Sequence, residues 1–190
     1  GYGPTSTWAK AQKNRDALGR SLQITEELTR STATNIHGEA QRREKGLNLK
    51  KPGEGCADRP YLTKDLEGFY TRAAAAYDNY LAAFGGPKQS NEKTIEVRYY
   101  RADILCFKLA KTEEAGDEYL AVGKSAPVGK LHKDALLNAM SAFEKARPKD
   151  TAGKVKLYPV DKKFGEAIDI YASLFKNDPT IVGVLFKNGQ

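Results

Sequence analysis

The sequence has few of the residues from which metal sites and redox centres are built. Among 190 residues there are two cysteines, Cys56 and Cys106, and two histidines, His37 and His132. None of the four stands at a metal-ligand spacing from another, which argues against a structural zinc site. We expect His37 to lie on a helix surface and His132 in the first turn of its helix, and we predict that the chain holds no metal and no cofactor.

Catalytic motifs are also missing. The chain has no G-x-S-x-G, H-E-x-x-H, GxGxxG or P-loop pattern, and Gly85-Gly86-Pro87 is a helix stop. Because the sequence offers no candidate nucleophile or base, we predict that the protein is not an enzyme. One alternative stays open, in which the chain is the non-catalytic helical arm of a larger enzyme.

No stretch approaches the roughly 20 apolar residues that a membrane-spanning helix needs. The alanine run at 73–76 is short and is flanked by Arg72 and Asp78. With 40% hydrophobic and 29% charged residues, the composition is typical of a folded globular domain. Because the sequence lacks an initiator methionine and stops inside an apolar pattern that begins at Ile181, we expect it to be a piece of a longer protein.

The two cysteines stand in different surroundings. Cys106 lies in the apolar run 104–107 and is expected in the core, whereas Cys56 lies in a Gly/Pro-rich loop that solvent can reach. A disulfide between them would imply an oxidising compartment. A buried helix cysteine and a loop cysteine need not be neighbours, so both states stay open and the unpaired state is favoured.

The net charge is +7, and most basic residues stand near acidic ones. The segment 147–163 differs, because it contains six cations and only two acidic residues, Asp150 and Asp161. Such a loop can attract an acidic partner or an anionic polymer. No recognised nucleic-acid motif accompanies it, so nucleic acid is not the expected partner. The cations of this candidate basic loop are Arg147, Lys149, Lys154, Lys156, Lys162 and Lys163.

The apolar spacing predicts an all-α fold. Helical patterns cover residues 8–28, 34–45, 62–84, 95–110, 113–124, 130–146 and 164–176, and another starts near 180. The weak helix formers at 31–34 leave open whether the first two are one helix. Residues 154–158 alternate enough for a short strand.

Three of these helices share one pattern, in which an alanine is followed by a tyrosine four residues later and by a turn breaker eight residues after that. A small residue lets two helices approach closely, the aromatic ring fills the neighbouring space, and the breaker ends the helix. The three copies are Ala73, Tyr77 and Gly85; Ala115, Tyr119 and Pro127; and Ala167, Tyr171 and Pro179.

At these residues the chain resembles the tetratricopeptide repeat family, whose second helix carries alanine, an aromatic and proline at this spacing. The resemblance implies a right-handed α-α superhelix of helix pairs. It divides the chain into an N-terminal capping region (1–33), a repeat domain (34–180) and the start of a further helix (181–190). The pairs are 34–87, 96–127 and 132–179. Insertions at 46–62 and 147–162 depart from the family's short turn.

In this family the first helices line a concave groove, an extended binding surface. When the chain is aligned with the family's helix pairs in this way, the candidate groove residues are Val97, Tyr100, Phe107, Lys108, Leu136, Phe143 and Glu144. We therefore expect a scaffold that binds a peptide, a helix or a subunit of another protein, or a second copy through exposed repeat ends.

The insertions are expected at helix-pair tips on one side, where they would form a second contact surface. The alternative function is binding of an anionic polymer through the basic loop and Arg42-Arg43. The location is open, with a weak preference for a bacterial cell envelope over the cytoplasm.

Overall fold

A computed structural model describes residues 3–50, 55–57, 61–86, 90–149 and 156–188, with the backbone alone for 185–188. Within these ranges the chain forms eight helices and no strand, which confirms the all-α prediction. Residues 156–158 of the predicted strand have no regular structure, and 154 and 155 lie outside the described residues. The helices are α1 (Thr7–Ala11), α2 (Arg15–Gly46), α3 (Lys64–Phe84), α4 (Glu92–Phe107), α5 (Thr112–Gly123), α6 (Leu131–Ala146), α7 (Pro159–Leu174) and α8 (Ile181–Asn188).

The question of one helix or two is decided in favour of one, since α2 continues through residues 31–34. The hydroxyls of Thr32 and Thr34 donate to carbonyls one turn earlier, so these weak helix formers satisfy their polar groups inside the helix. Ala33 and Ala40 are fully buried, and this packing keeps the helix continuous. The predicted boundary between residues 33 and 34 therefore falls inside α2.

The repeated alanines and tyrosines occupy the core, as the pattern predicts. All six of these side chains are 0–1% exposed. The tyrosines keep their hydroxyl groups satisfied: Tyr77 bonds His37 in α2, Tyr119 donates to Asp103 in α4, and Tyr171 pairs with Thr180. In the first two copies the second helix of a pair is thus tied to the first.

Ion pairs and hydrogen bonds show the helix directions in the first half. Glu26 and Glu44 of α2 bind Lys93 at the start of α4 and Lys108 directly after its end, in the same order, so α2 and α4 run parallel. The same two glutamates bind tyrosines of α3 in reverse order, so α3 runs antiparallel to both.

The second half alternates in the same way. The four-residue connection 108–111 reverses the chain between α4 and α5. Gly116 and Gly123 of α5 face Phe143 and Leu136 of α6 in reverse order, so these helices are antiparallel. Consequently α2, α4 and α6 are parallel, and their C-terminal ends lie along one edge of the molecule.

The buried residues form two clusters. The first joins α2 and α3 to one face of α4, and the second joins the other face of α4 to α5, α6 and α7. Between α5 and α6 the backbones are close: a Cβ built on Gly116 would lie 2.5 Å from the Phe143 ring, and one on Gly123 would overlap the Leu136 side chain. Glycine at both positions permits this approach.

Cys56 and Cys106 form a disulfide, which corrects the favoured expectation of unpaired thiols. Cys56 is 2% exposed, so the expectation of a solvent-accessible thiol was also wrong. The reason is nonlocal: the backbone N–H of Ala57 donates to the Cys106 carbonyl at 2.9 Å, which draws the loop onto the end of α4. Closing a loop across 50 residues stabilises the fold by about 4 kcal/mol in the chain-entropy treatment.

Candidate functional site: the edge that carries the two insertions

Three of the predicted groove residues are core residues. Val97, Leu136 and Phe143 are each 0–1% exposed. Val97 packs in the first cluster against α2 and α3, whereas Leu136 and Phe143 pack against α5. The face of each first helix that the resemblance assigns to a groove is thus used to bury the preceding helix pair. These three residues are corrected from contact residues to packing residues.

The other groove candidates are not gathered on one open surface. Tyr100 is half-buried and donates its hydroxyl to Glu96, and Phe107 is half-buried against the second cluster. Glu144 is exposed. Lys108 is held by Glu44 at 2.7 Å, so its charge is compensated inside the molecule.

Glu44 is the centre of a polar cluster near the end of α2. Its carboxylate accepts hydrogen bonds from Lys108, Tyr61 and Tyr70. Burial opposes ionisation of Glu44, but these three donors outweigh it and hold its pKa below the ordinary value. The sequence shows Glu44 only as one charge in a mixed run. Glu26 and Glu44 are 18 residues apart, which is five helical turns and places both on the same face of a helix. This spacing is the signal that could have identified Glu44.

The histidines are less exposed than the sequence suggests. His37 contacts the rings of Tyr70, Tyr77 and Tyr100, and its pKa is lowered by burial and by the charge of Lys108. His132 is 1% exposed and accepts a hydrogen bond from the backbone of Gly129. The expected surface position of His37 is corrected, because its ring is half-buried and bonds the Tyr77 hydroxyl. His132 lies in the first turn of α6, as predicted, with its ring satisfied in the interior.

The connection from α2 to α3, residues 47–63, is called the strap. Its described residues contact the C-terminal ends of all three parallel helices. Tyr61 contacts Glu44 of α2 and Lys108, which directly follows α4. Cys56 is bonded to Cys106 near the end of α4, and its carbonyl accepts from Lys145 near the end of α6.

We call this side the insertion edge: the C-terminal ends of α2, α4 and α6 together with the connections that follow them. It carries both long insertions, because the connection from α6 to α7 leaves the same end as the strap.

The predicted basic loop divides into paired and exposed cations. Arg147 bonds Asp161 and the Lys156 carbonyl, and Lys163 pairs with Glu113 and Asp117 of α5. Lys149, Lys156 and Lys162 are exposed and form no ion pair within the described part of the chain. Lys154 lies outside the described residues.

Sequence reasoning missed Leu157. It is 78% exposed and stands between Lys156 and Tyr158 on the insertion edge. The strand-like alternation at 154–158 pointed to this stretch, but alternation cannot show which side chain a surface loop presents.

Residues 3–50, 55–57, 61–86, 90–149 and 156–188 contain no group of three or more histidine, cysteine or acidic side chains placed to hold a metal ion. Over the same ranges, no helix combines the length and the apolar character needed to cross a bilayer.

A scan against protein-family models finds no match to the chain, and searches of curated proteins and of solved structures find none either. The functional assignment therefore depends on the chain's own residues.

Proposed function

We propose that this protein is a non-enzymatic scaffold that binds another protein through its insertion edge. The observation that carries the proposal is the placement of both insertions: the parallel order of α2, α4 and α6 brings them to one edge. The strap is anchored there to three helices by a disulfide, a lysine–carbonyl bond and the Glu44 cluster. A surface fixed from several helices suits recognition of a partner, because little conformational freedom is lost on binding.

The scaffold is proposed to be tetratricopeptide-like. Burial of the three alanine–tyrosine pairs and the alternation of helix direction support this assignment. We place the partner at the insertion edge and not in a groove, because the groove positions are largely used for packing between helix pairs.

The disulfide favours an oxidising compartment such as the cell envelope. Its two sulfurs are buried, and its loop spans 50 residues, as in a structural bridge.

The test is lysine-directed cross-linking in extract from the source organism, followed by mass spectrometry. We expect one identified protein to be cross-linked at insertion-edge lysines. It should be lost from a variant with Lys50→Gln, Lys149→Gln, Leu157→Ser and Lys162→Gln, all at exposed positions. These changes lie outside the core, so the circular dichroism should stay unchanged.

The matched control carries Val128→Ser, Lys130→Gln and Lys176→Gln. These exposed residues follow the C-terminal ends of α5 and α7, on the opposite edge. The control should keep the partner. Cross-links that map to the opposite edge, or equal loss in both variants, would contradict the proposal. Retention of a polymer instead of a protein would favour the anionic-polymer alternative.

A further inference from the structure

The connection from α6 to α7 has a fixed stem. The Arg147 guanidinium lies 2.9 Å from Asp161 and 3.2 Å from the carbonyl of Lys156. Asp161 also accepts from the backbone N–H of Tyr158 at 2.7 Å, and Arg147 stacks 5.4 Å from the Tyr158 ring. Residues on both sides of the connection are thus held side by side at the start of α7.

Several cations near α5, α6 and α7 are paired within the molecule: Lys124 with Glu166, Lys133 with Asp178, and Lys163 with Asp117. Others, such as Lys130 and Lys176, are exposed singly at the opposite edge. Next to the stem, Lys149, Lys156 and Lys162 are exposed without an ion-pair partner among the described residues. Each of these lysines belongs to the stem or lies within two residues of it, and positive charges grouped in this way lower the free energy of a nearby carboxylate.

An apolar side chain is presented among these charges. Leu157 has 78% of its surface exposed, more than Ile24 (57%) or Leu28 (63%) on α2. Its backbone is held between Lys156 and Tyr158, both of which take part in the stem. A leucine fixed in this way can be buried by a partner at a low cost in conformational entropy.

We propose that Lys149, Lys156, Leu157 and Lys162 form a docking site for an acidic segment of a partner protein that carries an apolar side chain among its carboxylates. The charge of the lysines selects acidic residues, and Leu157 selects a protein segment over a purely ionic polymer. This inference rests on the proposed scaffold function and adds the chemistry of its partner.

The probe is a short fluorescein-labelled peptide of glutamates with a leucine at every fourth position. A second peptide has serine in place of each leucine, and the readout is fluorescence anisotropy at physiological ionic strength. We expect the wild type to bind the leucine peptide about tenfold more tightly than the serine peptide, which corresponds to about 1.4 kcal/mol. Leu157→Ser should abolish this preference, and combined Lys149→Gln, Lys156→Gln and Lys162→Gln should weaken both peptides at least about tenfold.

Ile24→Ser serves as the matched control, because it removes an exposed apolar side chain from a distant helix. It should leave the preference unchanged. A preference that survives Leu157→Ser overturns the inference, as does a heparin oligosaccharide of equal charge that binds as tightly as the leucine peptide. If either result is found while cross-linking still maps a protein partner to the insertion edge, the proposed scaffold function stands. Only the inference that the partner segment is acidic and apolar is then wrong.

Discussion

The interface between α2 and α3 combines buried alanines and tyrosines with hydrogen bonds from tyrosine hydroxyls to polar and charged groups of α2, whereas that between α5 and α6 consists of small residues packed against large apolar ones. In α2, only Ala33 and Ala40 are buried along 32 residues. In α6, seven residues are buried along 16, and glycines of α5 press against two of them. The first interface is specified by hydrogen bonds at a few points, and the second by continuous shape complementarity.

This difference indicates which substitutions each interface tolerates. A polar interface loses stability when one partner of a buried pair is removed, because the other is left unsatisfied. A close-packed interface loses stability when volume is added or removed. Glu44→Gln and Gly116→Ala test the two sides of this contrast, and Asp103→Asn tests a buried polar pair between α4 and α5. They are given from the largest expected effect to the smallest.

Glu44→Gln should destabilise the protein by about 3 kcal/mol near neutral pH, because Lys108 would keep a largely buried charge without its carboxylate. The measurement is urea unfolding. Since the pKa of Glu44 is held below 4.5, its contribution is present above that pH and is lost as the pH falls through the lowered value. The difference from wild type should therefore shrink in acid. Adding Lys108→Met should restore most of the loss, and a loss unaffected by this second change would show that the pair is not its cause.

Asp103→Asn should stabilise the protein by about 2 kcal/mol above pH 7. Burial raises the pKa of Asp103 from 3.8 to about 6, although the bond from Tyr119 opposes the shift. The folded state then binds more protons than the unfolded state between these values, so stability falls as the pH rises from about 4 to about 6. The variant should lack this decline. Thermal melts across that range check it, and equal slopes in both proteins would contradict it.

Gly116→Ala should destabilise the protein by about 1–2 kcal/mol, because the added methyl overlaps the buried Phe143 ring and this outweighs the higher helix propensity of alanine. Gly68→Ala in α3 is the matched control, since a methyl group added there would have no atom within 4 Å beyond its chain neighbours and the backbone of its own helix. That change should stabilise by about 0.5–1 kcal/mol. Chemical unfolding should show that the two substitutions change the free energy of unfolding in opposite directions. If both substitutions stabilise the protein, the Phe143 side chain must move to make room for the added methyl group.

Local features of the fold were predictable from the sequence. The α3 helix ends at Phe84, directly before the predicted stop at Gly85, and the repeated alanines and tyrosines are buried. Such features depend on residue spacing and backbone preference within one or two turns. The site was less predictable. Leu136 and Phe143 were correctly expected in a helix, but apolar spacing does not state whether the neighbour is solvent, a partner or another helix of the chain.

Residue order along the chain was enough to predict the all-α class, most helix positions, the repeated alanine–tyrosine packing and the unusual charge of 147–163. It could not predict that Cys56 reaches Cys106, that Glu44 meets Lys108 across 64 residues, or that both insertions share one edge. The two kinds of feature differ in the range of the interactions that produce them. Helix formation is governed by neighbours along the chain, whereas these contacts depend on the order and direction in which whole helices stack.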